Sequence, residues 1–461
     1  MARRRRRHGK KQSTRRAPKL PVHRGSFGPR EAERLLWRAG FGPGRGEAQA
    51  LAAKGLDGAV LSLTRPPAAH LEGPEPTDDN GRPLAPRERW GHDHVWWLDR
   101  MVRSNQPLVE RMTLVWHDWF ATSRQGVDAR LMIDQNELFR RHALGSFAKL
   151  LVAVTRDPAM LVWLSGNENT KWSPNENYAR ELMELFTLGA GRGYTEHDVR
   201  EQARALTGFR NDWRDGAGPV NFRFERKLHD AGRKRVFRRR GAFGWRDACR
   251  LCLDHRSHPS FFVRKLWSVF VAGDPDPATQ RGLEALYLRS RHGVRPVVEA
   301  ILRHPQLYEG PRLVKPPAVF VAGMLRTLGR GIDSDDWSWI GGLTGQKLFE
   351  PPNVAGWDES RWLDTATVRG RWIAANHALE GRTIDPRGDY DATEDAPTAV
   401  RSALAFWGEP TISAETRARL LAFAERCQAG ADRAWKQRPY RAQRQNALRM
   451  LIATSPDLQT S

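Results

Sequence analysis

Apolar residues recur three and four positions apart over most of this chain, the spacing that puts them on one face of a helix. In "PREAERLLWRAGFG", Leu35, Leu36 and Ala39 share a face between a starting proline and Gly40, which predicts a helix with both ends marked. "LVERMTLVWHDWFA" places Leu108, Met112, Val115, Trp116 and Trp119 on one side of another. "QNELFRRHALGSFAKLLVAVTRDPAMLVWL" reads as two helices parted near Asp157-Pro158. Alternation of period two is scarce, and "VNFRFERK" at 220 to 227 is the best candidate for half of a small hairpin. Stretches rich in Pro and Gly near 64 to 87, 211 to 219 and 350 to 357 read as loops, and no internal repeat is present. The expected fold is mainly α, one large multi-helix domain with at most a small β-hairpin.

One helix concentrates acids. In "SPNENYARELMELFTLG", Ser173 is an N-cap candidate, Pro174 stands where a helix needs no N–H donor, and Glu176 three residues after the serine completes a capping box. Tyr178, Leu182, Leu185 and Phe186 form the buried stripe, and Gly189 ends it. The next segment repeats the construction with Thr195 and Asp198 as the capping pair, so the two form a helical hairpin. Glu181 and Glu184 remain on a neighbouring face. Arg180 pairs with Glu176 or Glu184 four residues away, and an ion-pair lattice accounts for these acids. A second reading makes Glu181 and Glu184 catalytic or metal-binding carboxylates, because aromatic neighbours bury such groups and a buried carboxylate needs a cation, a metal or a proton.

Charge changes the picture at one end. Seventy-five basic residues against 53 acidic ones give +22, which favours polyanionic partners. Eleven of the basic residues fall among the first 24, with no acid between them. We expect residues 1–24 to form a disordered basic arm in which Arg3, Arg4, Arg5, Arg6, Arg7, Lys10 and Lys11 contact nucleic acid or another polyanion; an Arg-rich solubilising tail explains it equally. Residues 25–461 form the helical domain, the part from about 392 to 461 being a C-terminal helical segment. No apolar stretch follows the charges as an export signal requires, and no window reaches the ~18 apolar residues of a membrane span, so the expected location is cytoplasmic.

Three cysteines exclude a disulfide framework. Cys249 and Cys252 stand with His255 and His258 in "CRLCLDHRSH", which invites a zinc reading. On one continuous helix, however, ligands spread over nine residues span about 13 Å, too far to wrap one ion, and core cysteines are expected instead. The remaining metal-ligand types are His117, in the apolar "WHDWFATS", and His229 with Asp230, in "LHDAGRK" after the candidate strand. With Glu181 and Glu184 they suit iron, manganese or zinc. Each also has an ordinary structural reading: a satisfied core histidine, and an aspartate capping a turn. The glycines of "AGFGPGRGEAQA" follow a helix instead of a strand, and no G-x-S-x-G, Walker lysine or HExxH pattern is present. The Trp-rich turn "FEPPNVAGWDESRW" sets tryptophan beside acids, as sugar-binding clefts do.

"PNENYARELMELFTLG" followed by "GYTEHDVREQARALTGF" resembles the signature of a bacterial family, the "domain of unknown function 1800" proteins. "AERLLWRAGFGP", "WHDWFATS", "QNELFRRHALGSF", "DPAMLVWLSGNENT", "LHDAGRK", "HPSFFVRKLWSVFV", "GQKLFEPPNVAGW" and "LIATSPDLQ" agree with that family in order, from about residue 26 to 459. The resemblance implies no established activity. It implies that relatives often look exported, and that a second histidine commonly stands where this chain has Trp119. Three functions stay open: a metal-binding helical protein or metal-dependent enzyme, a noncatalytic polyanion-binding or scaffold protein, and a carbohydrate-active enzyme.

Overall fold

Pro29 and Gly40 do mark the ends of a helix, Pro29–Ala39, whose Leu35, Leu36 and Ala39 are buried. That pattern runs through the whole computed structural model, which describes residues 19–461. Helices make up 55% of it, with two small two-stranded antiparallel sheets among the described residues, so the fold is mainly α. Arg3 to Arg7, Lys10 and Lys11 lie outside the described residues. His23, assigned by composition to the basic arm, is buried: its amide donates to the Arg303 carbonyl at 2.8 Å and its Nδ1 meets Glu309 at 2.9 Å.

Two hydrophobic cores organise the helices. One gathers residues from Ala32 to Tyr308, with Trp116, Trp119, Phe147, Phe186 and Phe262 at its centre. The other joins Phe41 and the helix His92–Arg103 to residues 318–458. The helix Pro107–Trp119 serves both. Leu108, Met112, Val115, Trp116 and Trp119 enter the first core as their spacing predicts, while Leu114 enters the second. Burial of each large side chain stabilises by roughly 1.5–3 kcal/mol, so this helix is fixed from two sides. Its remaining face carries Arg111 and Asp118, seven residues and two turns apart.

The acidic motif helix starts later than its composition suggests. Asn175, not Ser173, is the N-cap, its Oδ1 accepting from the Asn177 amide at 2.9 Å, and Glu176 is the first helical residue instead of the third. Buried Asn169 decides the matter by accepting the Asn175 amide at 2.9 Å, while Ser173 turns back on Thr170. From Leu182 to Leu188 the helix widens to π geometry. Its last carbonyls are then taken by side chains: Lys265 Nζ donates to Leu185 O at 3.4 Å, Trp119 Nε1 to Phe186 O at 3.1 Å and His258 Nδ1 to Thr187 O at 2.9 Å. The expected hairpin forms as Glu196–Ala205 packs on this helix, capped by Thr195 and Asp198.

Three other boundaries differ. The 129–163 region holds three helices, Ala129–His142, Phe147–Thr155 and Pro158–Trp163, because Ser146 leaves the helix to bridge Gly293. Residues 211–214 are not loop but the end of a strand, Phe209–Arg214, paired with Gly218–Phe224. "CRLCLDHRSH" is not one helix either. Trp245–Leu253 ends at Asp254, and Pro259 opens the next, His258–Phe270. Cys249 and Cys252 are core residues as expected, their thiols pushed up to about 11 and about 12 by burial.

Candidate functional site

The structure does not bring His117, Glu181, Glu184, His229 and Asp230 together. Among the described residues no group of three or more His, Cys, Asp or Glu side chains stands close enough to hold a metal ion. Glu184 lies 3.7 Å from Arg180, which binds Glu196 through both guanidinium nitrogens at 2.8 and 2.7 Å and Glu176 at 3.2 Å. Glu181 is half-buried, and its carboxyl is raised by burial and by Glu184. His229 Nδ1 donates to Thr207 O at 2.9 Å, and Asp230 accepts from Arg204 Nε at 2.7 Å and from the Gly232 amide at 2.8 Å. Asp230 thus caps its own turn and anchors the hairpin segment 207–234.

His117 is fully buried in a cage of Trp97, Phe139, Phe349 and Trp357, and among the described residues neither ring nitrogen has a hydrogen-bond partner. Trp97 and Phe349 meet it edge to face, at interplanar angles of 82° and 81°. Burial pushes its pKa down to about 3, so the imidazole is neutral. Trp119, where the resemblance implies a second histidine, is spent capping the π-helical segment.

The opposite outcome holds one residue later. Asp118 lines a cavity of about 70 Å³ between the helix Pro107–Trp119, the helix His258–Phe270 and the turn 350–362. The Trp357 amide donates to Asp118 Oδ1 at 2.8 Å, and Gly356, at φ 96°, lies so close that a Cβ there would sit 2.3 Å from the same oxygen. This contact joins "WHDWFATS" to "EPPNVAGW" across 239 residues. Glu359, two residues beyond Trp357, stands exposed at the cavity mouth. Burial raises the Asp118 carboxyl, and loss of water against the cavity wall and then Asp118 raise that of Glu359. Lys265, beside Asp118 and 4.6 Å above the Trp119 ring, is lowered by burial to about 8.

Arg111 lines the same cavity and is 6% exposed, yet among the described residues its guanidinium makes no hydrogen bond and no ion pair, and its Nε is buried without a partner. Burial lowers its pKa to about 10, opposed by the more distant Glu359 and Asp118. Trp362, on the cavity wall, likewise buries its Nε1 without an acceptor. A buried donor left unmade costs about 1–3 kcal/mol, more when charged. The cavity therefore presents two unmatched donors and two raised carboxyls, an arrangement that binds acceptor-rich or anionic groups and can give and take a proton. Sequence reasoning singled out His117 and passed over Arg111 and Asp118. Their signal was present in two charges at i and i+7, which share one face of the helix with Leu114 and Val115. The turn carrying Glu359 was noticed, but only as a tryptophan-rich segment beside acids.

No curated protein and no solved structure matches the chain. The family model described as "Protein of unknown function (DUF1800)" matches residues 34–460. The motifs that meet at Asp118 and Gly356 lie inside that match, and the chain belongs to the DUF1800 family.

Proposed function

We propose that this chain is an acid–base enzyme acting on a small anionic substrate in the Arg111 cavity. The observation that carries the reading is the Arg111 guanidinium, buried and unpartnered on the wall of a cavity that also holds Asp118 and Glu359. A substrate carboxylate or phosphate supplies the acceptors that Arg111 lacks, bidentately if it approaches the fork in plane. Trp362 donates to a neutral oxygen of the same molecule. Asp118, held by the Trp357 amide, and Glu359, at the mouth, differ in solvation, which is how two carboxyls divide into a proton donor and a proton acceptor. With indole walls, an acidic sugar fits this set, in line with the carbohydrate alternative drawn from the 350–362 turn.

Thermal unfolding with uronic acids, sugar phosphates and dicarboxylates tests it. An anion present at 100 times its dissociation constant stabilises by about 2.7 kcal/mol. Arg111→Met should abolish that shift and Asp118→Asn should keep it while stopping turnover. Equal shifts in wild type and Arg111→Met would sink the proposal.

A further inference from the structure

A second cavity, of about 80 Å³, shares Trp37 as a wall and holds a lysine that the Arg111 cavity does not use. Lys315 is 2% exposed and has no carboxylate in ion-pair contact among the described residues. Its Nζ lies 3.6 Å from the centre of the Trp37 ring and donates to Leu458 O at 2.8 Å. Neither group can shift much. The Lys315 amide donates to Gln459 O at 2.9 Å, and its carbonyl accepts from Arg371 at 2.8 Å. Trp37 is wedged between Gly42 and Gly323, where a Cβ would stand 2.6 and 2.3 Å from indole atoms. The amine is thus presented on a fixed aromatic floor.

The surroundings select for charge. Arg30, Arg34 and Arg312 line the cavity with Glu33 and Asp457, three guanidiniums against two carboxylates before Lys315 is added. Arg34 is engaged by the carbonyls of Tyr308, Gly310 and Pro311, and Arg312 by Asp457 at 2.7 Å. Arg30 is exposed and makes no hydrogen bond among the described residues. It is the cation left to meet a ligand. The Lys315 ammonium is expensive to keep charged here, because burial strips its water, one carbonyl and one π face replace only part of it, and Arg312, Arg371 and Arg38 repel it. Burial accordingly lowers its pKa to about 7, against the pull of Glu33.

We propose that this cavity is a second ligand site, taking a small anion that carries an aldehyde or ketone, and that the Lys315 amine condenses with the carbonyl carbon to form an imine. The nitrogen lone pair attacks that carbon, one N–H proton passes to the carbonyl oxygen, and the second leaves with the resulting hydroxyl as water. Glu33, its Oε2 held by the Thr411 amide and hydroxyl, is the group placed to carry those protons.

Pyridoxal 5′-phosphate serves as the probe, with borohydride reduction of the full-length protein and peptide mass spectrometry. A surface lysine near pKa 10.4 is about 0.1% neutral at pH 7.5, so Lys315 should label at least about tenfold faster than any exposed lysine even after allowing for access. Lys315→Arg should lose the label while melting normally. Arg30→Ala should slow labelling by pyridoxal 5′-phosphate several-fold and leave labelling by uncharged pyridoxal unchanged. Labelling spread over surface lysines, or an Arg30→Ala effect equal for both aldehydes, overturns the proposal. Should Lys315→Arg fail to fold, the wild-type peptide map and the Arg30 comparison still decide.

Discussion

His117 and Asp118 are neighbours on one helix, and the fold treats them oppositely. The histidine points into a cage of four aromatic rings, fully buried and, among the described residues, with neither ring nitrogen hydrogen-bonded. The aspartate points the other way, into a cavity it shares with an unpaired arginine and a second carboxyl. From residue type alone the histidine is the better candidate for chemistry, being the side chain that titrates near neutrality. What decides is the surrounding chain. Aromatic burial removes the histidine's capacity to charge, whereas a single amide from Trp357 holds the aspartate while leaving its second oxygen to the cavity.

The largest test of that contrast breaks the contact that makes the Asp118 side a site. Gly356→Ala puts a methyl 2.3 Å from Asp118 Oδ1 and 2.8 Å from its carbonyl oxygen, at a φ of 96° that side chains rarely adopt. We expect a loss of about 3 kcal/mol or more in denaturant unfolding, together with loss of anion-dependent stabilisation. Gly381→Ala, at φ 69° with nothing within 4 Å of the new atom, gives the backbone term alone, about 1–2 kcal/mol. Equal effects at the two glycines would mean that the turn is not pressed onto Asp118.

The His117 side is tested by pH. The unfolded imidazole binds a proton near pH 6.5 and the folded one only near 3, so between those values the unfolded state holds the extra proton and stability falls as pH falls. From pH 7 to pH 5 this group alone should take away about 2 kcal/mol. His117→Phe removes that dependence, and at pH 7 it should change stability by no more than about 1.5 kcal/mol, being nearly volume-conserving in an aromatic cage. An undiminished acid sensitivity in His117→Phe would show that the ring is not sealed.

Much of this was legible beforehand, and the failures have physical causes. Helix faces such as Leu108 to Trp119 were readable because burial repeats with the helical period. Boundaries differ where a partner outside the helix overrides the helix's own signal: buried Asn169, six residues back, moved the cap from Ser173 to Asn175, and distant Gly293 drew Ser146 out of its helix. The Arg111 cavity depends on partners at greater range. Arg111 and Asp118 share a helical face in any reading, but nothing local shows that Glu359 arrives beside them, or that no carboxylate arrives close enough to neutralise Arg111.

That last point gives a prediction of opposite sign. A cation kept buried without a partner lowers stability, so Arg111→Met, of similar length and no charge, should raise stability by about 1 kcal/mol in the absence of ligand, measured by denaturant unfolding, while losing the response to anions. A destabilised Arg111→Met would mean that the guanidinium already has a partner in the free protein and that the cavity does not wait for one.

The smallest effect belongs to the acids that first drew attention. Glu181 faces Glu184 across one turn without a bond to Arg180, and burial and that like charge raise its carboxyl, so its folded form holds a proton more readily than the unfolded one. The sign follows: its ionised form is disfavoured on folding, and Glu181→Gln should be neutral or stabilising by up to about 0.5 kcal/mol at pH 7, as for other partly exposed charges. Elemental analysis of the purified protein, made beside that measurement, separates the two readings of the motif helix. If wild type carries near-stoichiometric iron, manganese or zinc that Glu181→Gln loses, then these carboxylates hold a metal through a rearrangement of the chain. If the variant melts like wild type and neither protein carries metal, Glu176 and Glu184 act as partners of Arg180 and Glu181 as a carboxyl that the helix carries without a partner of its own.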